Sequence, residues 1–125
     1  MLYVGRNAEV SGKLRLAANP ASLDAMPVSE MVEDLAPQTP LCGRKRDGLV
    51  GSLEWLVAIE AMVAAQAVDL RAPKALGAAA SLLHAAIRAT VPPLGADRET
   101  GPDAEVVRAA LAAPEMGRAL RAFEG

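Results

Sequence analysis

The sequence predicts an all-α protein, with a long central helix and two to three shorter helices in a bundle that assembles with other chains. Three observations predict this fold class. Apolar residues recur at steps of three and four over residues 43–70, alanine is abundant, and aromatic residues are only 2% of a chain that is 52% hydrophobic. Alanine has the highest helix propensity, and the spacing places apolar side chains along one helical face.

Residues 43–70 form the predicted central helix, which would be about 40 Å long. Asp47 is a plausible N-cap, and Pro73 should end the helix near Arg71. A helix that is apolar on nearly all sides has to be covered on nearly all sides. The remaining segments are short and polar, so we expect other chains to cover part of it. The three apolar faces are Leu49, Leu53, Leu56, Val63, Ala67 and Leu70; Val50, Val57, Ala61, Ala64 and Val68; and Trp55, Ile59 and Met62.

Residues 1–125 are expected to form a single helical domain, within which residues 1–40 are an extended or irregular N-terminal segment. Four prolines punctuate the second half of that segment. A weak helix over residues 8–18 is an open alternative, since Gly12 interrupts it. One or two helical turns could also begin at Ser29 and end before Pro37.

The shorter helices follow in order. Residues 76–91 carry an apolar stripe that ends at Pro92 and Pro93. Pro102 occupies a favoured first helical position, which predicts a helix over residues 102–112. Pro114 separates this helix from a last turn or two.

Composition excludes several classes of function. The net charge is −2, so the basic surplus expected of a nucleic-acid-binding protein is missing. Cys42 is the single cysteine, which excludes an internal disulfide and fits a reducing cytosol. The N-terminal residues do not have the pattern of a signal peptide. A membrane span is disfavoured because Glu54, Glu60 and Asp69 interrupt the long helix. The expected location is cytoplasmic.

The residues alone supply no self-sufficient catalytic or metal-binding set. His84 is the only histidine and has no second ligand or base near it in sequence, which favours a structural role. Cys42 has no neighbouring histidine. The run Arg44–Arg46 could be an anion site, but a solvated or acid-paired face is the favoured interpretation. From the residues alone, the chain is a helical interaction module.

A longer ordered series of residues carries a resemblance to a known family. Residues 19–34, with Asn-Pro-Ala-Ser-Leu-Asp followed by Pro27, Ser29 and Glu33-Asp34, resemble the segment Pro-Ala-Ser-x-Asp-x-x-Pro-Thr-Ser-x-x-Gln-Glu-Asp of histidine ammonia-lyase and its aromatic relatives. Residues 64–71, Ala-Ala-Gln-Ala-Val-Asp-Leu-Arg, are similar to that family's Ala-Ala-Gln-Ala-Leu-Asp-Leu-Arg. The spacing is constant from about Leu16 to Leu111, so the chain is identified as resembling the C-terminal portion of this lyase and aminomutase family.

The resemblance places Glu33 on the family's active-site glutamate, which lies near the substrate amine. Around it, Val32, Leu35 and Pro37 stand where the family has glutamine, histidine and serine. Two interpretations of Glu33 therefore remain open: a catalytic acid in a shared site, or an exposed carboxylate at a helix start.

The resemblance also implies where the family's electrophile should lie. That electrophile is methylidene-imidazolone, made by cyclising an internal Ala-Ser-Gly. The residues after Val10-Ser11-Gly12 do not resemble the family's site, and the family's tyrosine-bearing loop has no counterpart. No cofactor is therefore expected on this chain, and the prosthetic group would lie on a partner chain.

In the family, long helices pack into the core of a tetramer.

Two functions follow as expectations. The first is a small subunit of a split ammonia-lyase or aminomutase-like enzyme, which completes a site on a larger lyase subunit. The second is a non-catalytic helical oligomerisation or regulatory protein derived from a lyase C-terminus. The partners implied are further copies of this chain or that larger subunit, without nucleic acid or membrane.

Overall fold

The computed structural model describes residues 2–24, 27–28, 33–35, 38–72 and 75–123, and over these residues the all-α prediction is confirmed. Two short strands pair antiparallel, with Pro27 opposite Leu35 and Val28 opposite Glu33. The elements in chain order are α1 (Leu2–Ala17), a 3-10 helix (Ala21–Asp24), β1 (Pro27–Val28), β2 (Glu33–Leu35), α2 (Thr39–Arg71), α3 (Ala78–Thr90), α4 (Gly101–Ala112) and α5 (Pro114–Arg121).

The core lies where α3 and α4 pack against the middle of α2. Ile59 of α2 and Val107 of α4 are the largest fully buried side chains. Alanines on both helices are also buried, which allows the helix axes to approach closely. The core residues are Ala58, Ile59, Met62, Ala65, Ile87, Val91, Ala104 and Val107.

The N-terminal helix α1 corrects the expectation that residues 1–40 are extended or irregular. A glycine in a helix interior costs about 1 kcal/mol relative to alanine, and α1 contains Gly5 and Gly12. Packing of α1 against α2 outweighs this local preference, since only 8% of the surface of Val10 is exposed. The helical turns considered from Ser29 onward are wrong for residues 33–35, which form β2, while residues 29–32 lie outside the described part of the chain.

The start of α2 also differs from the prediction, and its end agrees. The helix begins at Thr39, with Gln38 as its N-cap and Pro40 in its first turn, so Asp47 lies inside the helix. It ends at Arg71, as Pro73 predicted. Ala72 closes it in the left-handed conformation, with φ of 42°, and donates its N–H to the carbonyl of Val68 at 2.9 Å.

The chain's own described segments cover only part of α2. Ala58, Ile59, Met62 and Ala65 are buried, but Val50, Leu53, Val57, Val63 and Leu70 are 48–78% exposed. By length and composition alone α2 could cross a membrane, and this is weak evidence because core helices of soluble proteins pass the same test. It packs against α1, α3 and α4 along part of its surface.

Candidate functional site

Glu33, the candidate catalytic residue from the sequence, lies in the two-stranded ladder between α1 and α2. Its backbone lies opposite Val28, and a register shift separates the Val28 pair from the Pro27 pair. The side chain of Glu33 lies outside what the structure describes, as do Val32 and Pro37. Its assignment to a shared active site therefore stays a prediction.

The segment that leads to this ladder is tied to α2. Lys45 donates a hydrogen bond from Nζ to the carbonyl oxygen of Asn19. Ala21, which begins the 3-10 helix, is buried with 7% of its surface exposed. Arg46 donates to the carboxylate of Asp47 at 2.8 and 3.1 Å, in exposed surroundings. Arg46 is therefore paired with a neighbouring acid, as the favoured interpretation of the basic run expected, whereas Lys45 bonds to a backbone carbonyl.

A polar cluster that was not predicted from the sequence joins α2 to α3. Asp69 Oδ1 lies 2.7 Å from Nε2 of His84, and Asp69 Oδ2 accepts a hydrogen bond from Nε of Arg88, also at 2.7 Å. Arg88 also donates to the carbonyl of Val91 at 3.2 Å, which holds the end of α3. The side chains of Asp69, His84 and Arg88 are 23%, 25% and 15% exposed. The sequence signal was the four-residue spacing of His84 and Arg88, which puts both on one face of a helix.

The partners of Asp69 determine its ionisation. Partial burial raises the pKa of this carboxyl, but the hydrogen bonds from His84 and Arg88, together with their charges, outweigh burial and hold the pKa below its usual range. Asp69 is therefore held as a carboxylate between two donors. This geometry supports the structural role predicted for His84.

An open apolar groove of about 230 Å³ lies beside this cluster, between the C-terminal half of α2 and the 91–98 turn. Its walls include Val63, Ala67 and Leu70, with Arg88 at the edge. Gln66 fixes the turn by a two-way contact. Leu94 N–H donates to Oε1 of Gln66 at 2.8 Å, and Nε2 of Gln66 donates to the Leu94 carbonyl at 3.2 Å.

Trp55 ties three helices together at the other end of the core. The guanidinium of Arg6, from α1, lies 4.5 Å from the centre of the indole ring, and that of Arg108, from α4, lies 5.2 Å away. Arg108 also donates to Glu105 and Glu54, each at 2.9 Å. The hydrogen bond to Glu105 has the largest effect on the pKa of the Arg108 guanidinium, followed by the bond to Glu54, and both raise it. The charged groups around Trp55 thus interact with one another and with the ring, which fits a structural role.

The described residues do not fit a prosthetic group formed on this chain. Ser11 and Gly12 lie in the continuous helix α1, and Val10 is buried in its packing against α2. A helical tripeptide with its backbone hydrogen-bonded along α1 is not poised to cyclise. Within residues 2–24, 27–28, 33–35, 38–72 and 75–123, no group of three or more histidine, cysteine, aspartate or glutamate side chains could hold a metal ion.

Comparison with known proteins decides the family. A family model described as aromatic amino acid lyase matches residues 6–89, which run from α1 into α3. The chain belongs to the aromatic amino acid lyase family. The matched residues include Glu33 and all three members of the Asp69 cluster.

Full-length relatives show how much of the family fold this chain represents. It is 32% identical to the histidine ammonia-lyase of Symbiobacterium thermophilum over 118 residues, which are 94% of this chain and 23% of that protein. It is 36% identical to the histidine ammonia-lyase of Natranaerobius thermophilus over 90 residues, 72% of this chain and 18% of that one. The chain therefore spans about a fifth of the length of the curated relatives it matches, and it resembles their C-terminal part.

A solved structure gives the same result for the fold. The chain superposes on the ergothioneine-degrading enzyme ergothionase of Treponema denticola, solved in complex with desmethyl-ergothioneine sulfonic acid, with a TM-score of 0.80 and 30% identity. The superposition covers 87% of this chain and 22% of ergothionase. The helices described above thus keep the arrangement of one part of a larger lyase-family enzyme.

Proposed function

We propose that this chain is the small subunit of a split ammonia-lyase or aminomutase-like enzyme, which completes a site on a partner chain that carries the electrophilic prosthetic group. The partner chemistry would be elimination of ammonia from an α-amino acid, or a shift of its amino group from C2 to C3. This substrate class rests on the chain's membership of the family and on the proposal that its partner is a lyase.

The observation that carries the proposal is the retained helical frame. A fragment superposing on a fifth of ergothionase with a TM-score of 0.80 has kept that part's geometry. The chain's own described segments leave several aliphatic side chains of α2 exposed. Such exposure is consistent with a part that packs against further protein. The rest of the lyase fold would then come from another polypeptide.

Glu33 is the residue we assign to the shared site. It lies on the strand β2, between the helices that the family match spans. A carboxylate near the substrate amine could accept a hydrogen bond from the ammonium group and help to orient it. The tie from Lys45 to Asn19 and the burial of Ala21 hold the chain that precedes the strands.

A second candidate function is a non-catalytic helical oligomerisation or regulatory protein derived from a lyase C-terminus. The observation that favours it is the apolar character around Glu33. Val32, Leu35 and Pro37 replace the family's glutamine, histidine and serine, so the polar neighbours that would tune a carboxylate are lost.

Co-expression tests the first function. The chain is expressed with a lyase from the same genome that lacks the matching C-terminal quarter, and the complex is assayed for prosthetic-group absorbance and for ammonia release. We expect activity only when both chains are present. A partner that is fully active alone would refute the split-enzyme proposal.

Two matched variants separate the two candidates. Glu33→Gln removes the proposed carboxylate, and Glu30→Gln makes the same change three residues earlier. A loss of kcat of at least tenfold in Glu33→Gln, with Glu30→Gln unchanged, supports the shared site. Activity that needs the chain but is equal in both variants supports the oligomerisation or regulatory function.

A further inference from the structure

A polar groove of about 200 Å³ lies between α1 and α2, on the side where Arg6 stacks on Trp55. Its α1 wall is a single stripe of the helix, because residues three and four apart share a face. The stripe carries two cations and one acid, so charges of both signs border the same small volume. The lining residues are Arg6, Glu9, Val10 and Lys13 of α1, with Ser52 and Trp55 of α2.

Arg6 is held in place at this groove. Its guanidinium lies 4.5 Å from the centre of the Trp55 ring, and a Cβ added to Gly101 would lie 3.4 Å from its Nη1. Among the side chains that the structure describes, no carboxylate forms an ion pair with Arg6. A guanidinium fixed in this way offers a planar fork of N–H donors, which is the shape that binds a carboxylate through two parallel hydrogen bonds.

Glu9 provides a negative charge beside Arg6 on the same face of α1. Lys13 donates a hydrogen bond from Nζ to Oε1 of Glu9 at 2.6 Å. This bond, together with the charge of Lys13, holds the pKa of the Glu9 carboxyl below its usual range, so the group is ionised at neutral pH. The Glu9 side chain is 61% exposed, so a dissolved molecule can reach it. A carboxylate has about four acceptor positions, and Lys13 occupies one of them.

Ser52 adds a further acceptor from the α2 side. Its Oγ donates to the carbonyl oxygen of Gly48 at 3.0 Å, which uses the hydroxyl hydrogen and leaves the oxygen lone pairs to accept. Val10 and the indole of Trp55 supply the apolar part of the wall. The groove thus combines a fork that suits a carboxylate, acceptors that suit a cationic donor, and a small apolar surface.

We propose that this groove binds a free α-amino acid, with the ligand's α-carboxylate on Arg6 and its α-ammonium on Glu9 and Ser52. A lone anion at Arg6 is repelled by Glu9, and a lone cation at Glu9 is repelled by Arg6 and Lys13. A zwitterion avoids both costs. Side chains three residues apart on a helix have Cβ atoms about 5–6 Å apart, a span that a carboxylate and an ammonium on one carbon can bridge.

The size of the groove limits the ligand to a small molecule. At about 200 Å³ the groove is smaller than the clefts of roughly 300–1,000 Å³ that hold drug-sized ligands. A bound amino acid joins α1 to α2, because its partners lie on both helices, and the thermal midpoint should therefore rise with its concentration. The proposal goes beyond the split-lyase function and does not depend on it, since none of the groove residues belongs to the site assigned to Glu33.

Calorimetric titration of the full chain tests the class of ligand. Each of the common protein amino acids is titrated in turn, and the tightest binder is compared with two of its own derivatives. One derivative lacks the α-amino group, and the other lacks the α-carboxylate. We expect the intact amino acid to bind about tenfold or more tightly than either derivative, because each derivative lacks one charged hydrogen-bonding group.

Paired variants test the two named contacts. Arg6→Met should weaken binding about tenfold or more, whereas Arg15→Met, at an exposed position on α1 outside the groove, should leave it unchanged. Arg6→Lys keeps the charge but loses the fork, so it should retain only part of the affinity. Glu9→Gln should weaken binding about threefold or more, since exposed charges are partly screened. Its control, Glu115→Gln, removes a carboxylate from a similar ion pair with Arg118 on α5 and should bind like wild type.

Several results would overturn the proposal. One is the absence of both a heat of binding and a rise in thermal midpoint with every amino acid. Another is a derivative without the amino group that binds as tightly as its parent, since that describes a site for anions only. Equal affinities in wild type, Arg6→Lys and Glu9→Gln would place the ligand elsewhere, and these two variants decide the matter if circular dichroism shows that Arg6→Met does not fold. None of these outcomes depends on the lyase co-expression.

Discussion

Asp69 on α2 lies 2.7 Å from His84 on α3, and the same carboxylate also accepts a hydrogen bond from Arg88. These contacts join the last turns of the central helix to the helix that follows it. Arg88 also lines the open groove between α2 and the 91–98 turn. A loss of this cluster would therefore loosen the packing of α3 against α2.

The first prediction concerns pH. The pKa of Asp69 is lowered in the folded chain, because the bonds from His84 and Arg88 outweigh burial. Its contribution to stability is therefore fully present above the unfolded pKa of about 3.9, and is lost as pH falls through the folded pKa. In urea unfolding, the free energy of unfolding of wild type should exceed that of Asp69→Asn at pH 7. This difference should shrink below pH ~4.

The control for this prediction is Asp97→Asn, which makes the same change of charge at an exposed position in the turn before α4. It should remain close to wild type at both pH values. A difference between wild type and Asp69→Asn that stays constant from neutral to acid pH would contradict the assignment of the pH dependence to this carboxylate.

The second prediction compares two adjacent valines on α4. Val107 is fully buried, whereas Val106 is 48% exposed. Val107→Ala removes two buried methyl groups and leaves a cavity, so it should lower the free energy of unfolding by about 2 kcal/mol or more. Val106→Ala should change it by less than about 0.5 kcal/mol. Equal losses in chemical denaturation would mean that α4 does not pack as described.

The helix ends that proline sets could be predicted from sequence. Pro73 predicted the end of α2 at Arg71, and Pro92 predicted the end of α3. These are local effects, since proline lacks the N–H group and clashes with the preceding turn. Pro102 similarly predicted the start of α4, which begins at Gly101.

Features that depend on contact between distant segments could not be predicted. α1 has interrupting glycines, and its helical state depends on Arg6 and Val10 meeting α2. The cluster of Asp69 and His84 joins residues 15 positions apart on two helices, so it forms only once α3 packs against α2. The N-cap at Asp47 was predicted from residue type, but the chain is already helical from Thr39. For Glu33 the family register remains the basis of the assignment.

The third prediction concerns the clamp on Trp55. Arg6→Met removes one of the two guanidinium groups that stack on the ring, so it should destabilise the fold by about 0.5–1 kcal/mol. Arg15→Met, at an exposed position near the end of the same helix, serves as the control and should have little effect. Because Trp55 is the only tryptophan, its fluorescence reports this site directly. A spectrum of folded Arg6→Met identical to wild type would argue against the stacking.

The fourth prediction concerns the cap of α2. Ala72 has φ of 42°, a left-handed conformation in which its Cβ is crowded and glycine is favoured. Ala72→Gly should relieve this strain, and the greater flexibility of glycine in the unfolded chain offsets part of the gain. The expected result is a net stabilisation of about 0.5 kcal/mol, measured as a higher denaturation midpoint. Ala109→Gly, exposed inside α4, should have the opposite sign and cost about 1 kcal/mol, because a helical interior gains nothing from glycine. If both substitutions destabilise the chain equally, Ala72 is not in the left-handed conformation and α2 does not end at Arg71.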